Sequence, residues 1–228
     1  VELRNGIRTT GSIRRFRTEP VNDETIYSIL DDARFAPSGG NRQAWRVVVV
    51  KDPERRRSVA AAYLDAWHDH LAHRLAGLSP FSPLATEEDR RAATSQRGTA
   101  EAKSDPDGFA ENLADVPVLL VVLADLSVLA ALDRDLDHYP IVGGASIYPF
   151  VWNVLLAAHE RGVGGVMTTM AIKNEPALQS ILEVPHTLVV AAVIALGYPE
   201  QRRPTKLSRQ RVEEFTTVDT LRGETFRP

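Results

Sequence analysis

The sequence predicts a single α/β or α+β domain over residues 1–228, and three observations predict it. Runs dense in β-branched and aliphatic residues, WRVVVV at 45–50, VPVLLVVLAD at 116–125 and TLVVAAVIALGYP at 187–199, read as buried strands. Segments whose apolar residues recur at helical spacing alternate with them. The 228 residues, 43% hydrophobic and 25% charged, have the composition of an ordinary globular protein large enough to bury one core.

Taken in order, NDETIYSILDDARFAP (22–37) is a helix with Asn22 or Asp23 at its N-cap. Ile26, Ile29, Leu30 and Ala33 recur on one face, and Pro37 ends it. The strand at 45–50 follows, then a helical pattern from 53 to about 76. An excursion or lid is expected at about 64–112. From 77 onward it is polar, broken by Pro80, Pro83, Pro106 and Gly108, with room for a short helix of its own. After the strand at 116–125, GGASIYPFVWNVLLAAHERG (143–162) reads as one long helix, apolar on most sides and closed by Gly162. Such a helix has to be covered, by the domain interior or by a subunit interface. GVGGVMTTM leads into a further strand, and 174–183 is a short helix before the last strand. From about 200 to 228 the periodicity is lost. Phe215, Leu221 and Phe226 favour a tail pinned across another subunit over a disordered one.

Zero cysteines exclude disulfides, thiolate metal sites, cysteine nucleophiles and a thiol-tethered flavin. The expectation is a cytoplasmic chain without secretion leader or membrane span. A net charge of −3 gives no electrostatic reason to expect a nucleic-acid partner. There is no Gly-x-Ser-x-Gly elbow and no Walker loop. His68, His70 and His73 have no carboxylate at a ligand spacing and read as a solvated helix face. DRDLDHY (133–139) lacks the glycine and closing glutamate of a calcium loop and reads as an exposed charged turn. No metal is expected. GVGGV at 162–166 follows a helix and enters a strand, the reverse of a dinucleotide-binding turn.

Four segments carry the remaining polar chemistry. TTGSIRRFRTEPV places Ser12, Arg14 and Arg15 ahead of the first well-defined helix, and APSGGNRQAW supplies Pro37, Ser38, Gly39, Gly40 and Asn41. VMTTM brings Met167, Thr168 and Thr169 to a strand edge, and RRPTKLSRQRVEEF adds Lys206, Arg209 and Arg211. Each has a plain reading: solvated arginines, a tight turn, strand-edge packing. Together they suit an anionic, planar ligand with a polar edge. Arginines and a hydroxyl hold a phosphate, glycines let the backbone approach a flat ring, and threonine hydroxyls address ring nitrogens.

With SIRRF, APSGGNRQAW, GASIYPFVWNVLLAAHERGVGG running into VMTTM, and VIALGYPEQRRP before a basic tail, essentially the whole chain resembles the nitroreductase family of FMN-dependent oxidoreductases. That family also holds flavin-using deiodinases and a flavin-degrading branch. The resemblance implies an α+β fold, a central mixed sheet wrapped in helices, interlocked into a homodimer with two FMN sites at the subunit interface. Pro37, Ser38, Gly39 and Asn41 would line the isoalloxazine of the other subunit, with Gln43 and Trp45 fixing the loop's return. Arg14 would sit near N1 and O2, Ser12 and Arg209 on the phosphate, and Thr168 or Thr169 at N5 in the segment begun by Met167. Relatives carry arginines where this chain has Thr10 and Gly11. Arg8, Arg15, Arg209 and Arg211 are the residues left to balance the phosphate.

No side chain need act as nucleophile. NADH or NADPH would reduce the flavin and a small flat aromatic acceptor, a nitroaromatic or quinone, would reoxidise it in ping-pong fashion through N5. The alternatives are reductive dehalogenation or desaturation on the same fold, or a low-turnover flavin-binding protein. Trp67, Phe81 and Phe109 would either form the substrate lid or simply pack the excursion onto the body.

Overall fold

The chain opens with a helix that its sequence pattern does not announce. Leu3–Thr9 forms α1, whose only buried residue is Gly6, so no hydrophobic stripe marks it. The computed structural model describes residues 2–201 and 205–228; Arg202, Arg203 and Pro204, within the expected tail and the VIALGYPEQRRP marker, lie outside them.

Asp23–Ala33 forms α2. Asn22 caps it by accepting from the Thr25 amide at 2.9 Å, and Ile26, Ile29 and Ala33 are its buried face. Trp45–Val49 is β1 and Pro53–Leu75 is α3, capped by Asp52. Beyond α3 the polar segment carries two short helices, α4 (Glu87–Ser95) with a Thr86–Asp89 capping box and α5 (Arg97–Ala102). Val118–Asp125 is β2. The apolar segment expected as one helix over 143–162 is divided. Val142–Ser146 is a 3-10 turn, and α6 runs only over Tyr148–Glu160 with Pro149 in its first turn. Proline fits there because the first amides of a helix have no partner to lose. Gly164–Thr168 is β3, Glu175–Ile181 is α7 and Leu188–Gly197 is β4.

The strands form one sheet in the order β1-β2-β4-β3, every neighbouring pair antiparallel. The expected mixed sheet is thus antiparallel throughout its four strands, and the parallel pairing of Ser12 with Gly165 is an isolated bridge outside them. Helices cover both faces, which is why β2 reads as a continuous apolar run rather than an alternating one. One layer holds α2 and α6 against Leu120, Val122, Ile194 and Leu196. The other holds α3 and α7 against Leu119, Val121, Val193 and Ala195. The architecture is α+β, as the sequence predicts. No described helix is long and apolar enough to cross a membrane.

Two polar expectations change in the structure. Asp133 is buried, and its Oδ2 accepts from the amides of Ile141 (2.5 Å) and Val142 (2.8 Å), so the first acid of DRDLDHY is an inward pin. His68, His70 and His73 are half-buried and hold the excursion. His70 stacks on Trp67 at 4.9 Å, His73 leans on Phe81 at 5.1 Å and His68 Nε2 meets Ser104 Oγ at 3.2 Å. Among the described residues no group of histidines and acids could hold a metal.

Candidate functional site

The site residues fall into two groups on opposite faces of the sheet. The first gathers where β3 leaves it. Ser12 bridges to Gly165, and the Ile13 amide donates to the Gly165 carbonyl at 2.9 Å, laying the Ser12–Arg15 segment along β3. Glu200 N donates to the Arg15 carbonyl at 3.1 Å, so the end of the last strand closes over the same segment. The register sets the direction of the β3 side chains. Met167 lies opposite Ile194 and faces the α2–α6 layer, whereas Thr168 lies opposite Val193 and faces α3. On that face Tyr63 of α3 is buried, with Thr168 and Arg14 near its phenol. Burial raises the Tyr63 pKa above its ordinary value, and it stays protonated.

Two clefts open beside this group. Arg14 and Arg15 line one of about 490 Å³ with Phe109 and Asn112. Thr169 lines another of about 550 Å³, walled by Phe81, Tyr139, Tyr148 and Lys173. Phe109 itself packs edge-on against Tyr63 at 6.0 Å. Of the lid aromatics, Trp67 stacks on His70, Phe109 packs on Tyr63 and also lines the first cleft, and Phe81 stands at the second.

The second group is the loop after α2. Gly39–Asn41 is a 3-10 turn, and Gly40, Asn41 and Gln43 all take left-handed backbone (φ 60°, 54° and 49°). For Asn41 and Gln43 that conformation costs about 1 kcal/mol each and is held by neighbours. Ser38 Oγ accepts from the Gln43 amide at 3.0 Å, and Gly39 N donates to Ser146 Oγ at 3.0 Å. Trp45 is buried against Phe150 of α6, rings stacked 5.0 Å apart. The loop is thus pinned at both ends while Pro37, Gly39 and Asn41 remain exposed. A Cβ on Gly39 would meet only Ala130 and Ser146, at 3.4 Å, so packing within the chain does not demand glycine there.

The cations differ in availability. Thr10 is buried, and its Oγ1 donates to the Gly6 carbonyl at 2.8 Å at the end of α1. It is a helix-end contact and not a ligand group. Among the described residues Arg8, Arg14, Arg15 and Arg209 form no ion pair, whereas Arg211 pairs with Glu213 at 3.3 Å. Arg209 lies in a tail whose described backbone hydrogen bonds beyond Glu200 close within it, with a small hairpin joining Thr217 to Thr225. Leu221 is 93% exposed on it. Arg14 and Thr168 both lie near Tyr63, and Ser12 is bridged to Gly165, three residues before Thr168; the described contacts of the 37–41 loop and of Arg209 do not reach them.

Sequence reasoning passes over Tyr63 and Ser146. Tyr63 continues the apolar stripe of Val59, Ala60 and Ala66, so nothing marks its hydroxyl; Ser146 is hidden in an apolar run.

The molecule is thus an α+β domain with hydroxyl and guanidinium groups at β3 and a strained glycine-rich loop after α2. Residues 7–198 match the Nitroreductase family, and the chain belongs to that family of oxidoreductases. It is 29% identical over 231 residues to the chloronitrobenzene nitroreductase of Comamonas testosteroni, covering 92% of this chain and 94% of that one. A BluB-like flavoprotein from Clostridium difficile 630 has the same fold, with TM-score 0.66 and 23% identity over 96% of this chain and 100% of the other. So has oxidized iodotyrosine deiodinase bound to FMN and 3-iodo-L-tyrosine, with TM-score 0.64 and 20% identity over 96% and 99%.

Proposed function

We propose that this chain is an FMN-dependent NAD(P)H oxidoreductase that acts as a homodimer on flat aromatic acceptors, nitroaromatics or quinones. The observation that carries the reading is the division of the site. Arg14 and Thr168 stand on the α3 face, while a strained, exposed loop at 37–41 stands on the α6 face. One chain then supplies two halves of two sites, which a two-fold dimer joins. Exposed Leu3, Ile7, Tyr148 and Trp152, with Phe215, Leu221 and Phe226 of the tail, provide apolar surface for that interface.

The donor set fits the cofactor. Arg14 has no ion-pair partner among the described residues, Thr168 and Thr169 carry hydroxyls, and at exposed Gly39 no side chain stands between the backbone and a ligand. Bound FMN supplies reversible two-electron chemistry at N5. Arg14 places fixed positive charge where the ring gathers negative charge, at N1 and O2. Thr168 or Thr169 offers N5 a hydrogen bond. Ser12 and Arg209, with Arg8 and Arg15, would hold the phosphate. Met167, beside Thr168, would belong to the same cofactor-holding segment. Donor and acceptor use one slot in turn, which accounts for the lack of a separate dinucleotide motif.

The likeness to the FMN-bound deiodinase favours a second reading, reductive dehalogenation at the same site. The deciding experiment is the visible spectrum of purified protein before and after anaerobic NADPH. Flavin bands that bleach support the proposal; no bands after reconstitution with excess FMN overturn it. Product analysis with nitro- and halo-aromatics then separates the two readings.

A further inference from the structure

Three aromatic rings, Phe81, Tyr139 and Tyr148, stand around the cleft of about 550 Å³ that Thr169 lines. None of them is spent on the core, since all three are exposed. Phe81 is held there against its backbone preference. Its φ of 54° is left-handed, an unfavourable conformation for a bulky side chain. Contacts with His73 at 5.1 Å and His70 at 6.4 Å fix its ring. Burial does not repay the strain, because 42% of the residue remains exposed. Tyr148 is fixed through its hydroxyl, which donates to the Ala191 carbonyl at 3.3 Å.

Among the described residues that line this cleft, Lys173 is the one charged side chain. It is exposed and pairs with Asp69 Oδ2, while Arg97 donates to Asp69 Oδ1. A carboxylate already held by Arg97 thus holds the ammonium in turn. An ammonium has three hydrogens to give, so the Asp69 contact leaves two for an anion in the cleft. Thr169 caps the 3-10 turn Met170–Asn174 that carries Lys173. At a rise of about 2 Å per residue, Lys173 lies roughly 8 Å beyond Thr169 along that turn. That is the scale of one benzene ring with substituents at opposite positions.

Resting on the flavin reading above, we propose that this cleft takes the electron acceptor and that Lys173 selects acceptors carrying an aromatic carboxylate opposite the group to be reduced. The aromatic walls receive the flat ring. The reducible group points to the Thr169 end, and the carboxylate meets Lys173, which Asp69 and Arg97 position. A nicotinamide donor is also anionic, but a ribose separates its phosphates from the reacting ring, further than this cleft's single-ring spacing.

The test titrates FMN-loaded protein with benzoate and benzamide, two ligands of one shape, and reads binding from the flavin's visible spectrum. Wild type should bind benzoate about fivefold more tightly, a preference that shrinks as salt is raised, as expected of a partly exposed ion contact. Lys173→Gln should abolish the preference by weakening benzoate alone, and Lys173→Arg should keep it. Turnover should follow: in Lys173→Gln the KM for 4-nitrobenzoate rises about fivefold, while those for 4-nitrobenzamide and NADPH stay unchanged. A merely structural lysine would weaken both ligands together. Wild type that binds benzoate no more tightly than benzamide overturns the inference, and that comparison holds even if Lys173→Gln fails to fold. A preference that survives Lys173→Gln, an equal loss of both ligands, or a rise confined to the KM for NADPH also overturns it. Each of these leaves the flavin reading standing. Wild-type protein that binds no FMN overturns the flavin reading itself, and this inference with it.

Discussion

Thr10 stands two residues before Ser12, yet its side chain serves the scaffold. Its hydroxyl closes α1 on the Gly6 carbonyl, so Thr10→Ala should cost about 1 kcal/mol of stability, read as a lower melting temperature, while leaving FMN affinity unchanged. Arg209→Ala should do the reverse. Losing a charge-assisted phosphate contact of about 1.5–3 kcal/mol should raise the FMN dissociation constant on the order of tenfold or more, with the melting temperature of the apoprotein unmoved. An unchanged dissociation constant would remove Arg209 from the site. Asp133 gives a prediction in pH. The amides of Ile141 and Val142 hold its carboxyl below the usual carboxylate range. A folded-state pKa below the unfolded value, about 3.9, contributes stability above that pH and loses it as pH falls through the folded value. Acidification below about pH 4 should therefore free the 133–142 segment, seen as a shift of the Ile141 and Val142 amide resonances, and Asp133→Asn should abolish that step. The sequence makes the charged groups of the site visible, because Arg14, Ser12 and the threonines stand in polar or strand-edge settings. It hides Tyr63 and the inward turn of Asp133, since a phenol in an apolar stripe and an acid in a charged run look ordinary until partners from distant segments arrive.

Among elements, strands and amphipathic helices are legible because their periods are written locally, while ends and junctions are not. Pro149 allows α6 to begin, yet the preceding GGAS run is equally apolar, so the pattern alone extends the helix too far upstream. The excursion is fixed by a junction no local pattern reveals. Arg97 of α5 donates to Asp65 at 2.6 Å, to Glu101 at 2.7 Å and to Asp69. Lys173 pairs with the same Asp69, and Asn174 donates to Asp65 at 2.9 Å. The excursion, α3 and the turn after Thr169 are thereby tied at one point. Arg97→Ala should destabilise the protein by about 1–3 kcal/mol and expose the segment between α3 and β2 to limited proteolysis. A cleavage pattern unchanged from wild type would mean that the His–Phe81 contacts hold it alone. Gly165 is fixed by neighbours of its own. A Cβ there would lie 2.4 Å from Leu196 Cδ2 and 3.0 Å from the Ala195 carbonyl, so Gly165→Ala should cost roughly 1–3 kcal/mol and disturb the bridge that carries Ser12.

At the scale of the whole molecule, the described tail makes its backbone hydrogen bonds with itself and leaves Leu221 and Phe226 exposed, a poor arrangement for a lone chain in water. Under the proposed dimer, the protein should sediment at twice the chain mass, and truncation after Gln201 should weaken both association and FMN retention. A monomer that keeps its flavin would overturn that arrangement. The placement of the 37–41 loop on the face opposite Arg14 also has a genetic consequence. A variant broken in the loop and a variant broken at Arg14 would each be inactive as pure preparations, yet every mixed pair of the two would hold one centre with both lesions and one with none. Co-expressed, the two defective alleles should rescue each other to about a quarter of wild-type activity, the yield of random pairing between two equally abundant subunits.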